Sequence, residues 1–185
     1  MRHLSLLSCM LKNPSSTGCL VPSSRYLAKA MAEASAKADW VLELGAGTGA
    51  ITKALIQHHG LEKVRAVELS VPLANGLRTR FPGLDVEQGS AQEALARIPY
   101  DCFEPLALAS SLPFRSLPSA VVQEIQGSIV RALVAHPNAW LIQYTYQPRQ
   151  PFEAPPGFAW TRTTRIWRNF PPAGVWVLRR TKCHA

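Results

Sequence analysis

The chain lacks the long apolar runs and the paired cysteines that mark two large classes of protein. None of its 185 residues lies in a stretch approaching the ~20 consecutive apolar residues that a membrane-spanning helix needs. Its four cysteines form no C-x-x-C pair, and none stands at zinc-ligand spacing from a histidine. We therefore expect no spanning helix, no metal site, and thiols that stay free in a reducing cytoplasm.

Acidic residues are also in short supply. The 12 Asp and Glu stand against 20 Lys and Arg, which gives a net charge of +8 and an isoelectric point near 9.7. Such a balance favours an anionic partner, whether RNA, DNA or an acidic lipid surface, without choosing among them. Apolar residues still make up 47% of the chain, and neither an internal repeat nor a long linker divides it. This composition predicts one domain with a sizeable core.

The first residues combine a short apolar face with positive charge. On a helix, Leu4, Leu7 and Leu11 would share one side, with Arg2 and Lys12 close by. The apolar part is too short for a secretory signal. A helix of this kind can lie in a membrane interface, but the segment could equally be disordered or pack on the domain.

Strand-like and helix-like segments alternate through most of the chain. The predicted strands are Trp40–Leu44, Val64–Leu69, Leu84–Glu87, Leu106–Ala109, Ala139–Tyr146, Phe158–Trp167 and Val175–Arg180. The predicted helices are Pro22–Lys37, Thr48–His58, a segment marked by Leu73, Leu77 and Phe81, Ala91–Ile98 and Val121–Ala135. The last two strands are joined by a Pro- and Gly-containing turn, so they should pair antiparallel. We predict a doubly wound α/β fold with N-terminal helices and a mostly parallel seven-stranded sheet that ends in an antiparallel C-terminal hairpin.

The turn Glu43–Gly49 carries the first sign of a cofactor. It follows a predicted strand and opens a helix, where glycines are most informative. Gly45 and Gly47 would let the backbone approach a ligand closely, and Gly49 would let the helix pack on the sheet. Glu43 would repel the pyrophosphate of a dinucleotide but attract the ammonium of S-adenosylmethionine (SAM), which has no phosphate. The turn therefore predicts SAM as the cofactor.

Glu68 supports this prediction, and Ser90 marks a weaker third cofactor position. Glu68 ends the second strand about 20 residues on, where an acid binds the two ribose hydroxyls. Ser90 follows the third strand and stands where SAM-dependent methyltransferases, which this layout resembles, usually have an Asp that bonds the adenine amino group. The adenine contact would therefore lack charge. The other predicted cofactor residues lie beside these positions: Thr48, Leu69, Ala91 and Ser110.

The segment Ser110-Ser111-Leu112-Pro113-Phe114 follows the fourth strand and resembles the N/S-L-P-Y/F loop of amino-methylating enzymes such as the ribosomal RNA adenine dimethyltransferases. Backbone carbonyls of such a loop, Leu112 among them, can hold the N–H groups of an amine. The face of Phe114 can stabilise developing positive charge. We predict Ser111, Leu112 and Phe114 as catalytic residues, with Ser111 in place of the Asn of that RNA family.

Tyr144 and Tyr146 leave the end of the fifth strand, on one face of it by alternation. Their rings suit an amine that becomes cationic, and a phenol could help to remove the ammonium proton. We predict both as catalytic, the alternative being two tyrosines that only pack in the core.

Four blocks of the chain together resemble the bacterial phospholipid N-methyltransferases of the PmtA type, which methylate phosphatidylethanolamine stepwise toward phosphatidylcholine. The blocks are Lys12-Asn13-Pro14 with Pro22-Ser23-Ser24, the Glu43–Gly49 turn, Ser111–Phe114, and Gln143–Tyr146 with Trp167-Arg168-Asn169 and Pro171-Pro172-Ala173. The resemblance implies that Arg168 holds the lipid phosphate, although an exposed basic strand end would look the same.

The same resemblance implies an organisation and a location. Residues 1–37 would form a helical segment that binds the membrane and covers the cofactor, and residues 38–185 the SAM-dependent methyltransferase domain. The partners would be anionic lipids and a phospholipid substrate, at the inner face of the cell membrane on its cytoplasmic side.

Three functions remain open at this point. The leading one is methylation of phosphatidylethanolamine. An alternative is an rRNA adenine N6-dimethyltransferase-like enzyme; because those enzymes add a helical C-terminal domain that we do not find after the seventh strand, we do not expect nucleic acid as the partner. The third is a SAM-binding membrane protein without catalysis, against which Glu43, Glu68 and Phe114 argue.

Overall fold

The computed structural model describes residues 23–99 and 103–181. The predicted basic helix near the N-terminus lies outside these ranges. The helices are α1 (Arg25–Ala34), α2 (Ala50–His59), α3 (Val71–Arg80), α4 (Ala91–Ala96) and α5 (Ser119–Ala135), with a 3₁₀ turn at Leu61–Lys63. The strands are β1 (Trp40–Leu44), β2 (Val64–Glu68), β3 (Asp85–Gln88), β4 (Leu106–Ser110), β5 (Ala139–Thr145), β6 (Phe158–Ile166) and β7 (Ala173–Arg180).

All seven strands belong to one sheet, in the order β3-β2-β1-β4-β5-β7-β6. The five strands β1 to β5 run parallel, whereas β7 runs antiparallel to both β5 and β6. This arrangement confirms the predicted sheet and its antiparallel C-terminal hairpin. Leu44 lies opposite Ser110, and Ser110 lies opposite Gln143, so β1, β4 and β5 end together at one edge.

Local chemistry sets the ends of the elements within a few residues of the predictions. The Ser24 hydroxyl accepts a 3.2 Å hydrogen bond from the Leu27 amide, so α1 begins at Arg25 rather than at the predicted Pro22. Helix α5 begins directly after Pro118, two residues before the predicted Val121. Proline is compatible with this position because its ring fixes φ and the first turn needs no donor from it.

Helices cover both faces of the sheet. On one face, Leu27 and Met31 of α1 pack with Leu55 of α2 against Trp140 and Ile142 of β5. On the other face, α5 packs against the sheet. Each fully buried large apolar side chain stabilises the fold by about 1.5–3 kcal/mol. Helix α1 is therefore part of the domain core, and a lid or membrane role for residues 1–37 stays a prediction.

Within the part of the chain that the structure describes, no helix has both the length and the apolar character needed to cross a bilayer.

Candidate active site

The carboxyl ends of the five parallel strands meet at one edge of the sheet. In open α/β sheets of this kind, ligands bind in the crevice at that edge. The predicted site residues follow these strand ends: the Glu43–Gly49 turn after β1, Glu68 at the end of β2, Ser90 after β3, Ser111–Phe114 after β4, and Tyr144 with Tyr146 at the end of β5. The topology thus brings them to a common edge.

The glycine turn requires the left-handed backbone conformation that its sequence predicts. Gly45, Gly47 and Gly49 have φ values of 75°, 56° and 82°. A Cβ on Gly49 would lie 2.7 Å from Phe81 and 2.8 Å from Leu77, because α2 packs closely on α3 there. A Cβ on Gly47 would meet no atom within 4 Å, so the loop leaves open space at that residue for a ligand.

Glu68 joins the glycine turn to the second strand. Its carboxylate accepts hydrogen bonds from the Gly47 amide at 2.7 Å and from the Ser70 amide at 2.8 Å, and its side chain is almost fully buried. The predicted role was binding of ribose hydroxyls. A carboxylate has about four acceptor positions, so each oxygen keeps capacity for a further donor.

Glu43 is a completely buried acid. Neither of its carboxylate oxygens has a hydrogen-bond partner among the described residues. Burial raises the pKa of the carboxyl to about 7. The polar groups of Thr52, which lie near it without reaching hydrogen-bond geometry, lower the pKa, and the negative charge of Glu68 raises it. A buried acid without partners at the edge of a ligand crevice fits a cationic group such as the SAM ammonium.

The weaker cofactor predictions fall on residues that also serve the local structure. The Ser90 hydroxyl caps α4 by accepting from the Glu93 amide at 3.2 Å, and the Glu93 side chain returns the bond in a capping box. Ser110 is fully buried, and its hydroxyl accepts a long 3.4 Å contact from the Leu112 amide. Ala91 is buried, Leu69 is half-buried, and Thr48 is exposed. Their predicted contacts with the cofactor remain predictions.

The amine loop and the glycine turn are in contact. A Cβ on Gly45 would lie 2.8 Å from the Leu112 Cδ2 atom, so glycine lets the two loops approach this closely without displacing that side chain. The Ser111 amide donates to the Leu44 carbonyl at 2.9 Å, which extends the pairing of β4 with β1. The buried Ser111 hydroxyl has no partner in the described part of the chain. Its predicted role as an acceptor for an amine N–H stays a prediction.

The Leu112 carbonyl already has donors in the structure. It accepts from the Phe114 amide at 3.0 Å and, at a longer 3.4 Å, from the Gln143 side-chain amide. We did not predict a role for Gln143, which is 3% exposed and also donates to the Tyr144 carbonyl at 3.0 Å. The sequence signal that could have revealed it is that Gln143 is a lone amide directly after the apolar run Ala139–Ile142.

The two tyrosines lie together as the alternation predicts. The rings of Tyr144 and Tyr146 are 5.7 Å apart and meet edge to face. Tyr144 packs against the core cluster on the α1 side of the sheet, whereas Tyr146 is exposed. Their catalytic role stays a prediction.

Arg168 contacts α1. Its guanidinium donates to the Tyr26 hydroxyl at 3.3 Å, and Arg25 donates to the same oxygen at 2.8 Å. Hydrogen bonds from these two cations lower the pKa of Tyr26, that from Arg25 most. The neighbouring Asn169 is buried and accepts from the Ser24 amide at 3.1 Å, which fixes the β6–β7 turn to the start of α1. Arg168 therefore lies beside α1, in contact with Tyr26.

Among the described residues, no group of three or more His, Cys, Asp or Glu side chains could hold a metal ion.

Solved structures share this architecture. The chain superposes on the 23S rRNA methyltransferase ErmE with a TM-score of 0.59, at 21% identity, over 85% of this chain and 68% of that one. It also superposes on the 1,6-didemethyltoxoflavin-N1-methyltransferase of Burkholderia thailandensis, which contains S-adenosylhomocysteine, with a TM-score of 0.66 at 15% identity, over 97% and 90% of the two chains. The chain has the fold of the class I SAM-dependent methyltransferases. The predicted fold class is confirmed, and the bound ligand of the second neighbour supports SAM as the cofactor.

A closer relative in sequence covers only part of the chain. The ribosomal RNA small subunit methyltransferase A of Synechococcus sp. (strain CC9605) is 40% identical over 84 residues, which cover 37% of this chain. The match spans 30% of that relative's length. No model of a protein family matches the chain. The name of that relative refers to ribosomal RNA, and none of these three proteins is named for a lipid.

Proposed function

We propose that the chain binds SAM and transfers its methyl group to an amino group. The contact between Gly45 and Leu112 is the observation that carries this proposal, since it places the amine loop directly against the turn suited to the cofactor. The buried carboxylate of Glu43 and the open space at Gly47 fit the ammonium and the body of SAM, respectively.

SAM, when bound, supplies a methyl group that passes to the nitrogen lone pair as its bond to sulfur breaks, leaving adenosylhomocysteine. The nitrogen loses one proton to water in the process. In this chain the Ser111 hydroxyl would accept one N–H and orient the lone pair, and the ring of Phe114 would face the developing cation. Gln143 would keep the Leu112 carbonyl in place beneath the amine.

Ribosomal RNA is the acceptor that the comparisons favour. The relative of known name acts on ribosomal RNA, and Ser111–Phe114 resembles the loop of the adenine dimethyltransferases. The net charge of +8 suits a polyanion. We therefore propose an amino group of RNA as the leading acceptor.

Phosphatidylethanolamine remains a second candidate because of one surface feature. The turn between β6 and β7 exposes Trp167 and Phe170, by 72% and 88%, and Arg165 stacks on the Trp167 ring at 4.6 Å. Exposed aromatic rings beside arginines are typical of segments that lie in a bilayer interface. If this acceptor is the true one, residues 1–37 would be the membrane-binding lid, Arg168 would hold the lipid phosphate and the protein would lie at the inner face of the membrane.

Labelled SAM offered with either acceptor separates the two candidates. Wild-type protein is incubated with ribosomal RNA in one reaction and with phosphatidylethanolamine vesicles in another, and label is measured in each. We expect label in RNA. Label in lipid alone would replace the leading acceptor by the second, and label in neither would contradict methyl transfer to both.

The double variant Trp167→Ser with Phe170→Ser tests the surface feature separately. Vesicle binding that falls while the affinity for adenosylhomocysteine stays the same would support the lipid candidate. Unchanged vesicle binding would remove its structural support.

A further inference from the structure

A cleft of about 310 Å³ opens beside the amine loop, and no prediction has assigned it a role. Its walls come from the residue after Phe114 and from the segment after β5. The residues on which the argument depends are Arg115, Thr145, Gln147, Arg149, Phe152 and Glu153.

The cleft is joined to the amine loop through aromatic contacts. The ring of Phe152, in the cleft wall, meets the ring of Phe114 edge to face at 5.9 Å. On its other side Phe152 meets Trp160 of β6 at 5.0 Å, which fixes it in place. A group bound in the cleft would therefore lie one ring away from the position proposed for the amine.

Local hydrogen bonds shape both walls. The Ser116 amide donates to the Pro113 carbonyl at 2.8 Å, which makes a turn that presents Arg115. The Gln147 amide donates to the Thr145 hydroxyl at 3.1 Å where the chain leaves β5. The first turn thus presents Arg115, and Arg149 follows the second turn by two residues.

Arg115 and Arg149 differ from the other arginines in residues 23–99 and 103–181. Every other one has a hydrogen bond, an ion pair or an aromatic ring as a partner. These two have none among the described residues, and both are exposed in the same cleft. With Glu153 as the single carboxylate, the cleft has an excess of positive charge.

We infer that the cleft binds phosphodiester groups of single-stranded RNA next to the acceptor base. This rests on the proposed function. A guanidinium matches two phosphate oxygens, and the side chains of Thr145 and Gln147 offer further donors. The apolar wall residues Pro151 and Phe152 are half-buried, so the cleft presents no large exposed apolar side chain for a bilayer to cover.

The double variant Arg115→Gln with Arg149→Gln tests the inference. A short single-stranded RNA oligonucleotide is titrated by fluorescence anisotropy over a series of salt concentrations. Each lost phosphate contact should reduce the slope of log affinity against log salt by ~0.7 for single strands, so we expect the slope to fall by about 1.4. Affinity for adenosylhomocysteine should be unchanged, because neither arginine lies at the cofactor loops.

Arg65→Gln is the matched control. Arg65 is an exposed arginine near the amino end of β2, away from the cleft, and its ion pair is with the exposed Asp85. It should leave the salt slope as in the wild type. An unchanged slope in the double variant, with wild-type protein still methylating RNA, would overturn the cleft while leaving the proposed function intact.

Two other outcomes would also overturn the inference. Wild-type protein that binds no RNA contradicts it directly. A double variant that loses binding to phosphatidylethanolamine–phosphatidylglycerol vesicles, and keeps binding to RNA, would show that the cleft binds a lipid head group instead. Vesicle labelling by wild-type protein without RNA labelling would show that the proposed acceptor has failed as well.

Discussion

At the scale of single residues, two buried acids define the chemistry of the edge, and they do so in opposite ways. Both oxygens of Glu68 accept from backbone amides, whereas the oxygens of Glu43 have no partner among the described residues. Glu68 therefore organises the glycine turn, and Glu43 is the acid that we propose for a cationic ligand group.

Glu43→Gln should change how stability depends on pH. The folded protein holds the Glu43 proton up to about pH 7, whereas an unfolded chain releases it near 4.5. The folded state then binds more protons between these values, so the free energy of unfolding falls as pH rises through that window and levels off above it. Across this pH window we expect the free energy of unfolding of the wild type to fall by up to about 3 kcal/mol more than that of the variant.

Urea unfolding without cofactor, at several pH values from about 5 to about 8, measures this difference. Glu124→Gln, on the exposed face of α5, serves as the control and should behave as the wild type. Parallel curves for wild type and Glu43→Gln would show that Glu43 does not carry the pH dependence.

Glu68→Ala should weaken cofactor binding. It removes the acceptor predicted for the ribose and leaves the Gly47 amide unpaired. Hydrogen bonds to charged groups contribute about 1.5–3 kcal/mol, so we expect the affinity for adenosylhomocysteine to fall roughly ten- to a hundredfold. Calorimetric titration measures it, and an unchanged dissociation constant would rule out the ribose assignment.

Tyr144→Phe should slow methyl transfer without changing cofactor affinity. If the phenol relays to water the proton that the amine loses on methylation, kcat should fall roughly tenfold or more. Trp40→Phe, at the opposite edge of the sheet, is the control. A variant with full activity would make Tyr144 a packing residue of the core cluster it contacts.

At the scale of elements, two glycines of the same turn have different roles: Gly49 allows helix packing, and Gly47 leaves space for a ligand. Gly49→Ala places a Cβ against Phe81 and Leu77, whereas Gly47→Ala places one in open space. Both variants incur the cost of a left-handed alanine, about 1–2 kcal/mol. Overpacking should cost Gly49→Ala about 1–3 kcal/mol more.

Urea unfolding should therefore rank Gly49→Ala below Gly47→Ala in stability. Calorimetry should show that Gly47→Ala loses more affinity for adenosylhomocysteine than Gly49→Ala does, although it loses less stability. The reason is that the Cβ of Gly47→Ala takes up ligand space. The reverse ranking in either measurement would contradict the geometry of the turn.

The sequence predicts the elements well where a mostly apolar segment is bounded by glycine or other turn residues. Strand β1 was predicted with its observed ends, and the antiparallel hairpin follows from the helix-free turn before β7. Contacts between distant segments could not be predicted in this way. The Glu68–Gly47 bond depends on backbone angles, and the Arg115–Arg149 cleft depends on how two loops approach each other.

Gln143 is a second example of a contact that the sequence does not predict. Its type and position in β5 are visible in the sequence, but its bond to the Leu112 carbonyl requires the register in which Ser110 lies opposite Gln143. That register is a property of the folded sheet and not of either strand alone.

At the scale of the whole molecule, the two candidate acceptors correspond to different faces of the same edge. The cleft with Arg115 and Arg149 lies beside Phe114 and Phe152, on the α5 side of the sheet. The exposed Trp167 and Phe170 follow Ile166, on the α1 side, where Asn169 joins their turn to Ser24. RNA and lipid would thus approach the methyl donor from opposite sides, and variants on one side should leave the other acceptor unaffected.

Every step of this account requires that the edge hold SAM. Titration of adenosylhomocysteine into folded wild-type protein, followed by calorimetry, tests this most directly. We predict saturable binding of one molecule per chain, with a weaker affinity in Glu68→Ala. Folded protein that takes up no adenosylhomocysteine would contradict the account at its foundation.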